Sequence, residues 1–171
     1  MLIAAMKDNL YAPCVITHIR HTVRVFIKNE YNEYLFLHIV GEDLFGVRDH
    51  LETIGGGIEQ GESEEQAVTR EVMEESGYLV EQMEYIGDII DEYRLIQRET
   101  HSHFYAAQVK KDSCGIPHRT PEEQLLVQNM IWVPEDAVAA TLDPIKQTGT
   151  IGELVHRRDL EAFLFYQQHK K

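Results

Sequence analysis

An acidic cluster with a single arginine is the feature of this sequence best suited to chemistry. Glu71, Glu74 and Glu75 directly follow Arg70 in the segment Arg-Glu-Val-Met-Glu-Glu. On an α-helix, which turns about 100° per residue, the three carboxylates fall within an arc of roughly 100°, and Glu64 lies in the same arc. Because like charges three and four positions apart repel and Arg70 lies at the flank of this face, we expect another cation to relieve the repulsion. Mg²⁺ fits, since it takes hard oxygen ligands and commonly binds carboxylates together with phosphates. A solvated acidic face is the alternative interpretation.

Three consecutive glycines, Gly55, Gly56 and Gly57, precede this cluster. Each weakens regular structure by about 0.5–1 kcal/mol, so a backbone reason is expected for them. Glycine allows the main chain to approach a ligand closely, which can bring carbonyls to a metal or amides to a phosphate beside a helix N-terminus. We therefore predict that the three glycines contribute to substrate binding, with an ordinary turn as the alternative.

The helix that carries the cluster has recognisable ends. Ser63 is its predicted N-cap, Gln66 completes a capping box, and Gly77 stops the pattern. Between them the apolar positions are Ala67, Val68, Val72 and Met73. The glutamates are therefore placed on a helix rather than on a loop.

The remaining elements indicate mixed strands and helices. Residues 22–27 and 34–40 predict a hairpin, and the further predicted strands are 83–90, 101–109 and 128–133. A short helix is expected after Pro134 and a second long helix from about Glu153 to Gln168, while the stretch from Asp112 to Gln124 is the best candidate for a mobile loop. Without regular strand-helix alternation, this order favours an α+β fold in which helices cover a mixed sheet.

Composition sets the protein class. With 171 residues and 43% hydrophobic content, we expect one domain covering residues 1–171. A formal net charge of −13 argues against binding to duplex nucleic acid or to an anionic membrane, so a cation would have to mediate contact with a phosphate substrate. Because Cys14 and Cys114 form no Cys-x-x-Cys unit, we expect no disulfide. We expect a cytoplasmic, unexported protein without a membrane span.

Residues 56–78 resemble the Nudix box, Gly-x5-Glu-x7-Arg-Glu-U-x-Glu-Glu-x-Gly-U, in which U is a bulky aliphatic residue. The matching positions are Gly56, Glu62, Arg70, Glu71, Val72, Glu74, Glu75 and Gly77. Tyr78 departs from the pattern, since it stands where the family prefers an aliphatic residue. Outside the box the resemblance is looser and includes the segment Trp-Val-Pro at residues 132–134.

The resemblance implies an α/β/α sandwich and hydrolysis of a nucleoside diphosphate linked to another moiety, with Mg²⁺ or Mn²⁺ as cofactor. It also implies that Glu71, Glu74 and Glu75 are metal ligands and that the carbonyl of Gly55 completes the metal shell. Glu71 would be the preferred base, Glu74 a further catalytic residue, and Arg70 would hold the carboxylates through ion pairs. Glu62 would be structural or a weaker ligand.

Many members of the family also use a carboxylate from a later loop. Glu122 and Glu123 are the candidates here, and Glu123 is our choice as an additional metal ligand. An exposed loop acid is the alternative interpretation for both.

Several substrates are compatible with the resemblance. We expect a nucleoside triphosphate, which includes oxidised ones, or a related nucleotide. The alternatives are a dinucleoside polyphosphate, a nucleotide sugar, a non-catalytic nucleotide-sensing protein and an isomerase of isoprenoid diphosphates. A homodimer stays open.

Other residues suggest chemistry with less support. His101 and His103 would lie on one face of a strand and suggest a transition-metal site, but ordinary strand residues are the simpler interpretation. Tyr93 lies about where diadenosine-polyphosphate hydrolases of the family carry a tyrosine. Trp132, Phe104 and Tyr105 are suited to stacking on a base, but aromatic residues in strands are more often part of the core.

Overall fold

The computed structural model describes residues 1–111, 113 and 115–170, with the backbone only for Glu122. In this part of the chain, seven strands form one sheet: β1 (Leu2–Lys7), β2 (His18–Lys28), β3 (Glu33–Asp43), β4 (Gly46–Glu52), β5 (Val80–Tyr93), β6 (Arg98–Val109) and β7 (Val127–Pro134). The helices of the same described residues are α1 (Glu64–Ser76), α2 (Pro121–Leu126), α3 (Val138–Thr141) and α4 (Gly152–His169). Short 3₁₀ turns follow β5, β7 and α3.

The sheet is mixed. Its strand order is β1-β5-β6-β2-β3-β4, and β7 pairs with β3. The pairs β1/β5 and β2/β6 are parallel, whereas the other neighbours are antiparallel. This arrangement confirms the predicted α+β fold with a mixed sheet.

The glycine loop occupies a gap in the sheet. Strands β2 and β3 pair only over the two residues next to their connecting turn. Beyond that point the loop takes the place of β3, since the amides of Val23 and Val25 donate to the carbonyls of Gly56 and Ile54 at 3.0 and 2.9 Å. The loop is therefore fixed to the centre of the sheet rather than free at its edge.

Two apolar cores lie on opposite faces of the sheet. One contains Ala67, Val68 and Val72 of α1 packed on residues of β2 and β3. The other contains Ala162 and Phe163 of α4, packed on aromatic and aliphatic residues that include Phe26, Phe36, Ile89 and Phe104. Because helices cover both faces, the expected α/β/α sandwich is confirmed.

The structure adds elements that the sequence pattern did not predict. The sequence pattern did not indicate strands β1 and β4. For β4, the reason is that Gly46–Glu52 (Gly-Val-Arg-Asp-His-Leu-Glu) carries four charged or polar residues and few β-branched ones. The prediction of a mobile loop over residues 112–124 is wrong for its last four residues, because they belong to α2, which begins after the N-cap Thr120. The predicted hairpin, the short helix after Pro134 and the C-terminal helix are confirmed.

Candidate active site

Helix α1 begins and ends at the residues that the sequence indicates. The hydroxyl of Ser63 accepts from the amide of Gln66 at 3.2 Å, and the side chain of Gln66 accepts from the amide of Ser63 at 2.8 Å. Gly77 ends the helix in the left-handed conformation with φ 75°. Both ends are held by local hydrogen bonds, which fixes the rotation of the glutamates relative to the sheet.

Two of the three glutamates are nearly buried. Glu71 and Glu75 are 6% and 5% exposed, whereas the side chain of Glu74 is 43% exposed. Burial raises the pKa of Glu71, although a hydrogen bond from Arg70 opposes the shift. Burial also raises the pKa of Glu75 well above its ordinary value. The site therefore disfavours two negative charges that a nearby cation would stabilise.

Arg70 is the centre of an ion-pair network. Its Nη1 donates to Oε1 of Glu71 at 2.7 Å and to Oε2 of Glu74 at 3.2 Å. Its Nε and Nη2 each donate to an oxygen of Glu62 at 2.9 Å, and Nη2 also donates to the carbonyl of Gly57 at 2.9 Å. The sequence-based expectation that Arg70 leaves the repulsion to another cation is thus too simple, because Arg70 already neutralises part of it.

The glycine loop touches the buried carboxylates. The amide of Gly55 donates to Oε2 of Glu75 at 2.8 Å. A Cβ atom on Gly55 would lie 2.0 Å from the carbonyl oxygen of Val23, and one on Gly56 would lie 2.4 Å from Oε1 of Glu71. No larger residue fits at either position without displacing its neighbours. The consecutive glycines therefore allow the backbone to lie directly against Glu71 and Glu75.

The sequence matches the profile described as "NUDIX domain" over residues 18–151, which is most of the chain. The chain belongs to the Nudix family. This finding confirms the resemblance drawn from residues 56–78 and the prediction of a pyrophosphohydrolase. No curated protein sequence matches the chain.

Solved structures of Nudix proteins share the fold. A NUDIX hydrolase from Nitrosomonas europaea is 21% identical with a TM-score of 0.62, and the match covers 89% of this chain and 90% of that chain. A MutT protein from Methanosarcina mazei Go1 is 18% identical with a TM-score of 0.63, covering 92% of this chain and all (100%) of that chain. An ADP compounds hydrolase is 15% identical with a TM-score of 0.62, covering 87% of this chain and 71% of that chain. At these identities the likeness concerns the fold.

The donor set suits a hard divalent cation, the type of metal ion that Nudix proteins generally use. Glu71, Glu74 and Glu75 offer carboxylate oxygens only. Burial raises the pKa of Glu71 and Glu75, so a nearby cation would stabilise their charged forms. No donor of the described residues hydrogen-bonds to the carbonyl of Gly55, which leaves that oxygen available. Among the same residues, no three His, Cys, Asp or Glu side chains are already arranged around one metal position. The residues fit a cation by chemistry, while their contacts are those made with Arg70 and Gly55.

Other acidic candidates have structural contacts. Glu123 completes the capping box of α2, where its Oε2 accepts from the amide of Thr120 at 2.7 Å. Glu64 accepts from the hydroxyl of Tyr105 at 2.6 Å. The side chain of Glu122 lies outside the described residues.

The less supported candidates have contacts of their own, and Nδ1 of His103 lies 3.6 Å from Oε1 of Glu64. His101 and His103 share one face of β6, as alternation predicts, and contact His21 of β2. Tyr93 is 6% exposed and lies under Arg98. Phe104 and Tyr105 are buried in the two cores, and Trp132 packs on Tyr78. Cys14 donates to the carbonyl of Arg94, and Cys114 lies outside the described residues.

Two residues beside the glycine loop were missed. Arg24 donates to the carbonyl of Thr53 at 3.1 Å and lies 3.9 Å from Glu52. Burial by itself would raise the pKa of Glu52, but His50 and Arg24 lower it. No local sequence pattern joins these residues, since Arg24 comes from β2 and Glu52 from the end of β4.

Among the described residues, no helix is long and apolar enough to cross a membrane.

Proposed function

We propose that this Nudix protein hydrolyses the diphosphate linkage of a nucleoside diphosphate derivative with Mg²⁺ or Mn²⁺. Glu71, Glu74 and Glu75, with the carbonyl of Gly55, are the proposed metal ligands. The observation that carries the proposal is the placement of Glu71 and Glu75, two nearly buried carboxylates, against a glycine backbone. Glu123 would add a ligand only after releasing its cap on α2.

The chemistry needs little from the protein beyond placement and charge. A bound divalent ion supplies a water of lowered pKa and neutralises phosphate oxygens. Glu71 is the proposed base, because a carboxylate beside the metal ion would be placed to take the proton of the attacking water. Arg70 holds Glu71 and Glu74 in position, and the amide of Gly55 orients Glu75.

A nucleotide is the proposed substrate. Our first choice is a nucleoside triphosphate, intact or oxidised, and the alternatives are dinucleoside polyphosphates and nucleotide sugars. The names of two structural neighbours, a MutT protein and an ADP compounds hydrolase, support a nucleotide in general. We further propose one domain over residues 1–171, a cytoplasmic location and no binding of duplex nucleic acid, in accord with the charge of −13. A homodimer stays an open proposal.

The test is a hydrolysis screen over nucleoside triphosphates, oxidised nucleotides, dinucleoside polyphosphates and nucleotide sugars. Phosphate products are measured with Mg²⁺, with Mn²⁺ and with EDTA. We expect turnover of at least one compound class that stops in EDTA. Nucleotide binding without any turnover would support a sensor instead.

Variants assign the activity to α1. Glu74→Gln and Glu75→Gln should each lower kcat by about 100-fold or more, because each removes a negative charge that would attract the metal ion. Glu161→Gln, at an exposed position of α4, is the matched control and should keep full activity. Retention of most activity by Glu74→Gln or Glu75→Gln would refute the assigned site.

A further inference from the structure

Three arginines converge next to the glycine loop on the side of the sheet that faces α4. Arg20 and Arg24 are four residues apart on β2, so their side chains point to the same face. Arg98 of β6 lies one row away, since β6 pairs in parallel with β2 and Arg20 stands opposite Thr100. In a chain with 16 basic and 29 acidic residues, such a cluster of positive charge needs a reason.

The cluster adjoins the candidate active site. Nη2 of Arg20 lies 3.0 Å from the position that a Cβ atom of Gly57 would take. The carbonyl of the same glycine accepts from Arg70 at 2.9 Å. Gly57 is thus contacted by Arg20 and, through its carbonyl, by the arginine that holds Glu71 and Glu74.

Several polar atoms of the cluster have no hydrogen-bond partner among the described residues. Among the described residues, Arg20 and Arg98 form no ion pair, and the buried Nε atoms of Arg24 and Arg98 have no hydrogen-bond partner. Arg98 is held instead over the ring of Tyr93, 5.0 Å from its centroid. Thr100 is 3% exposed, and its buried hydroxyl also has no partner within this part of the chain.

Electrostatics agree with this geometry. Arg20 is exposed overall, but partial burial lowers its pKa, and the nearby charges of Arg98 and Arg24 lower it further. Burial likewise lowers the pKa of Arg98. Positive charges that repel one another would be stabilised by an anion.

Arg158 shows how a structural arginine is treated in the same molecule. It is 1% exposed, donates to Asp159 at 2.7 Å and lies 3.9 Å from Asp91. Asp91 of β5 stands opposite Thr100 and therefore lies next to the arginine cluster. Arg158 partly neutralises the charge of this carboxylate. Arg20, which is exposed, and Arg98, which is partly buried, form no ion pair with a carboxylate of the described residues.

We propose that Arg20 and Arg98, supported by Arg24 and the hydroxyl of Thr100, form a binding site for phosphate oxygens of the substrate. This inference rests on the proposed function, because it places the diphosphate at the glycine loop, where Gly56 lies against Glu71 and Gly57 against Arg20. Guanidinium groups suit this ligand, since their planar forks donate two parallel hydrogen bonds to a phosphate. The substrate class is accordingly a compound whose diphosphate is bound on one side by a metal ion and on the other by arginines.

The test uses inorganic pyrophosphate as the probe, because it contains only the diphosphate. Calorimetric titration with Mg²⁺, and again in EDTA, gives the Kd of the unmodified protein and of Arg20→Gln, Arg98→Gln and Arg20→Lys. We expect Kd to rise about 10- to 100-fold in the two glutamine variants and less in the lysine variant. Arg157→Gln is the matched control, since Arg157 pairs with Glu153 on the surface of α4, and it should leave Kd unchanged.

The outcomes separate this inference from the proposed function. With an active substrate, Arg20→Gln and Arg98→Gln should raise KM more than they lower kcat. If the protein hydrolyses a substrate but both variants bind pyrophosphate within about twofold of the unmodified protein, the arginine site is wrong and the proposed function stands. Absence of pyrophosphate binding to the unmodified protein, or equal weakening in Arg157→Gln, also overturns the site. Thermal unfolding of every variant shows whether a loss of binding is a loss of folding.

Discussion

Charged side chains under α4 and charged side chains beside the glycine loop are balanced in different ways. Under α4, Arg158 donates to Asp159, and the other oxygen of Asp159 accepts from the amide of Thr53 at 2.8 Å. Beside the loop, Glu75 receives one hydrogen bond from the amide of Gly55, and burial raises its pKa well above the ordinary value. The first group is neutralised within the protein, while the second is left in need of a cation.

We interpret this difference as one between structural charge and charge that serves the proposed site. A buried pair such as Arg158 and Asp159 costs desolvation but is strongly destabilising to break. A buried carboxylate with no cationic side chain bonded to it, such as Glu75, lowers the stability of the folded protein. Such a carboxylate is typical of functional sites. The predictions below test the comparison from its largest expected effect to its smallest.

Removal of Asp159 should cause the largest loss of stability. In Asp159→Ala, Arg158 keeps a buried charge without its closest partner, so we expect the free energy of unfolding to fall by about 3–5 kcal/mol. Urea denaturation measures this loss, and Asp159→Asn provides a milder variant if the alanine variant does not fold. A loss below about 1 kcal/mol in Asp159→Ala would mean that the two regions do not differ as described.

Two neighbouring glycines should give opposite results. Gly55→Ala places a Cβ atom 2.0 Å from the backbone oxygen of Val23 at φ 146°, and we expect it to lower stability by about 1–3 kcal/mol or more. In Gly56→Ala, the atoms nearest to the new Cβ atom are those at the end of the Glu71 side chain, which is more flexible than backbone. It should retain stability within about 1 kcal/mol but lose activity roughly 10-fold or more, because Glu71 is displaced.

The glycine pair is measured by thermal unfolding and by turnover on the same samples. Each variant serves as the control for the other, since both add a single methyl group to the loop. Full activity in Gly56→Ala would contradict the role given to Glu71.

A surface ion-pair network should give the smallest effect. Burial by itself would raise the pKa of Glu135, but hydrogen bonds from Lys170 and Lys28 lower it to about 2. Because the folded pKa lies below the unfolded value, the network stabilises the protein above about pH 4.5, and this contribution is lost as the pH falls toward 2. Glu135→Gln should lower stability at pH 7 by less than about 1 kcal/mol and reduce the loss between pH 4.5 and 2. Denaturation at several pH values measures both, and an unchanged pH profile would contradict the assignment.

Local features of this molecule could be predicted from the sequence. The capping box of Ser63 and Gln66 and the stop at Gly77 depend on residues within one helix, so α1 and its glutamates were placed correctly. The same kind of signal was present but overlooked at Thr120 and Glu123, where Pro121 follows the N-cap. A local interpretation would have assigned Glu123 to a helix cap before proposing it as a metal ligand.

Features that depend on strand register could not be predicted. Arg20 and Arg98 come together only because β2 and β6 pair in parallel, and nothing near either residue specifies that register. The insertion of the glycine loop beside β2 likewise depends on the short pairing of β2 with β3. For this reason the proposed carboxylate ligands could be identified from the sequence, whereas the proposed arginine site could be identified only from the fold.

The most direct test of the central claim is a Mn²⁺ titration followed by the paramagnetic resonance signal of the free ion. The unmodified protein should bind Mn²⁺, Glu71→Gln should bind it at least about tenfold more weakly, and the surface control Glu161→Gln should match the unmodified protein. Equal affinity in all three proteins would contradict the claim that the buried carboxylates of α1 hold the metal ion.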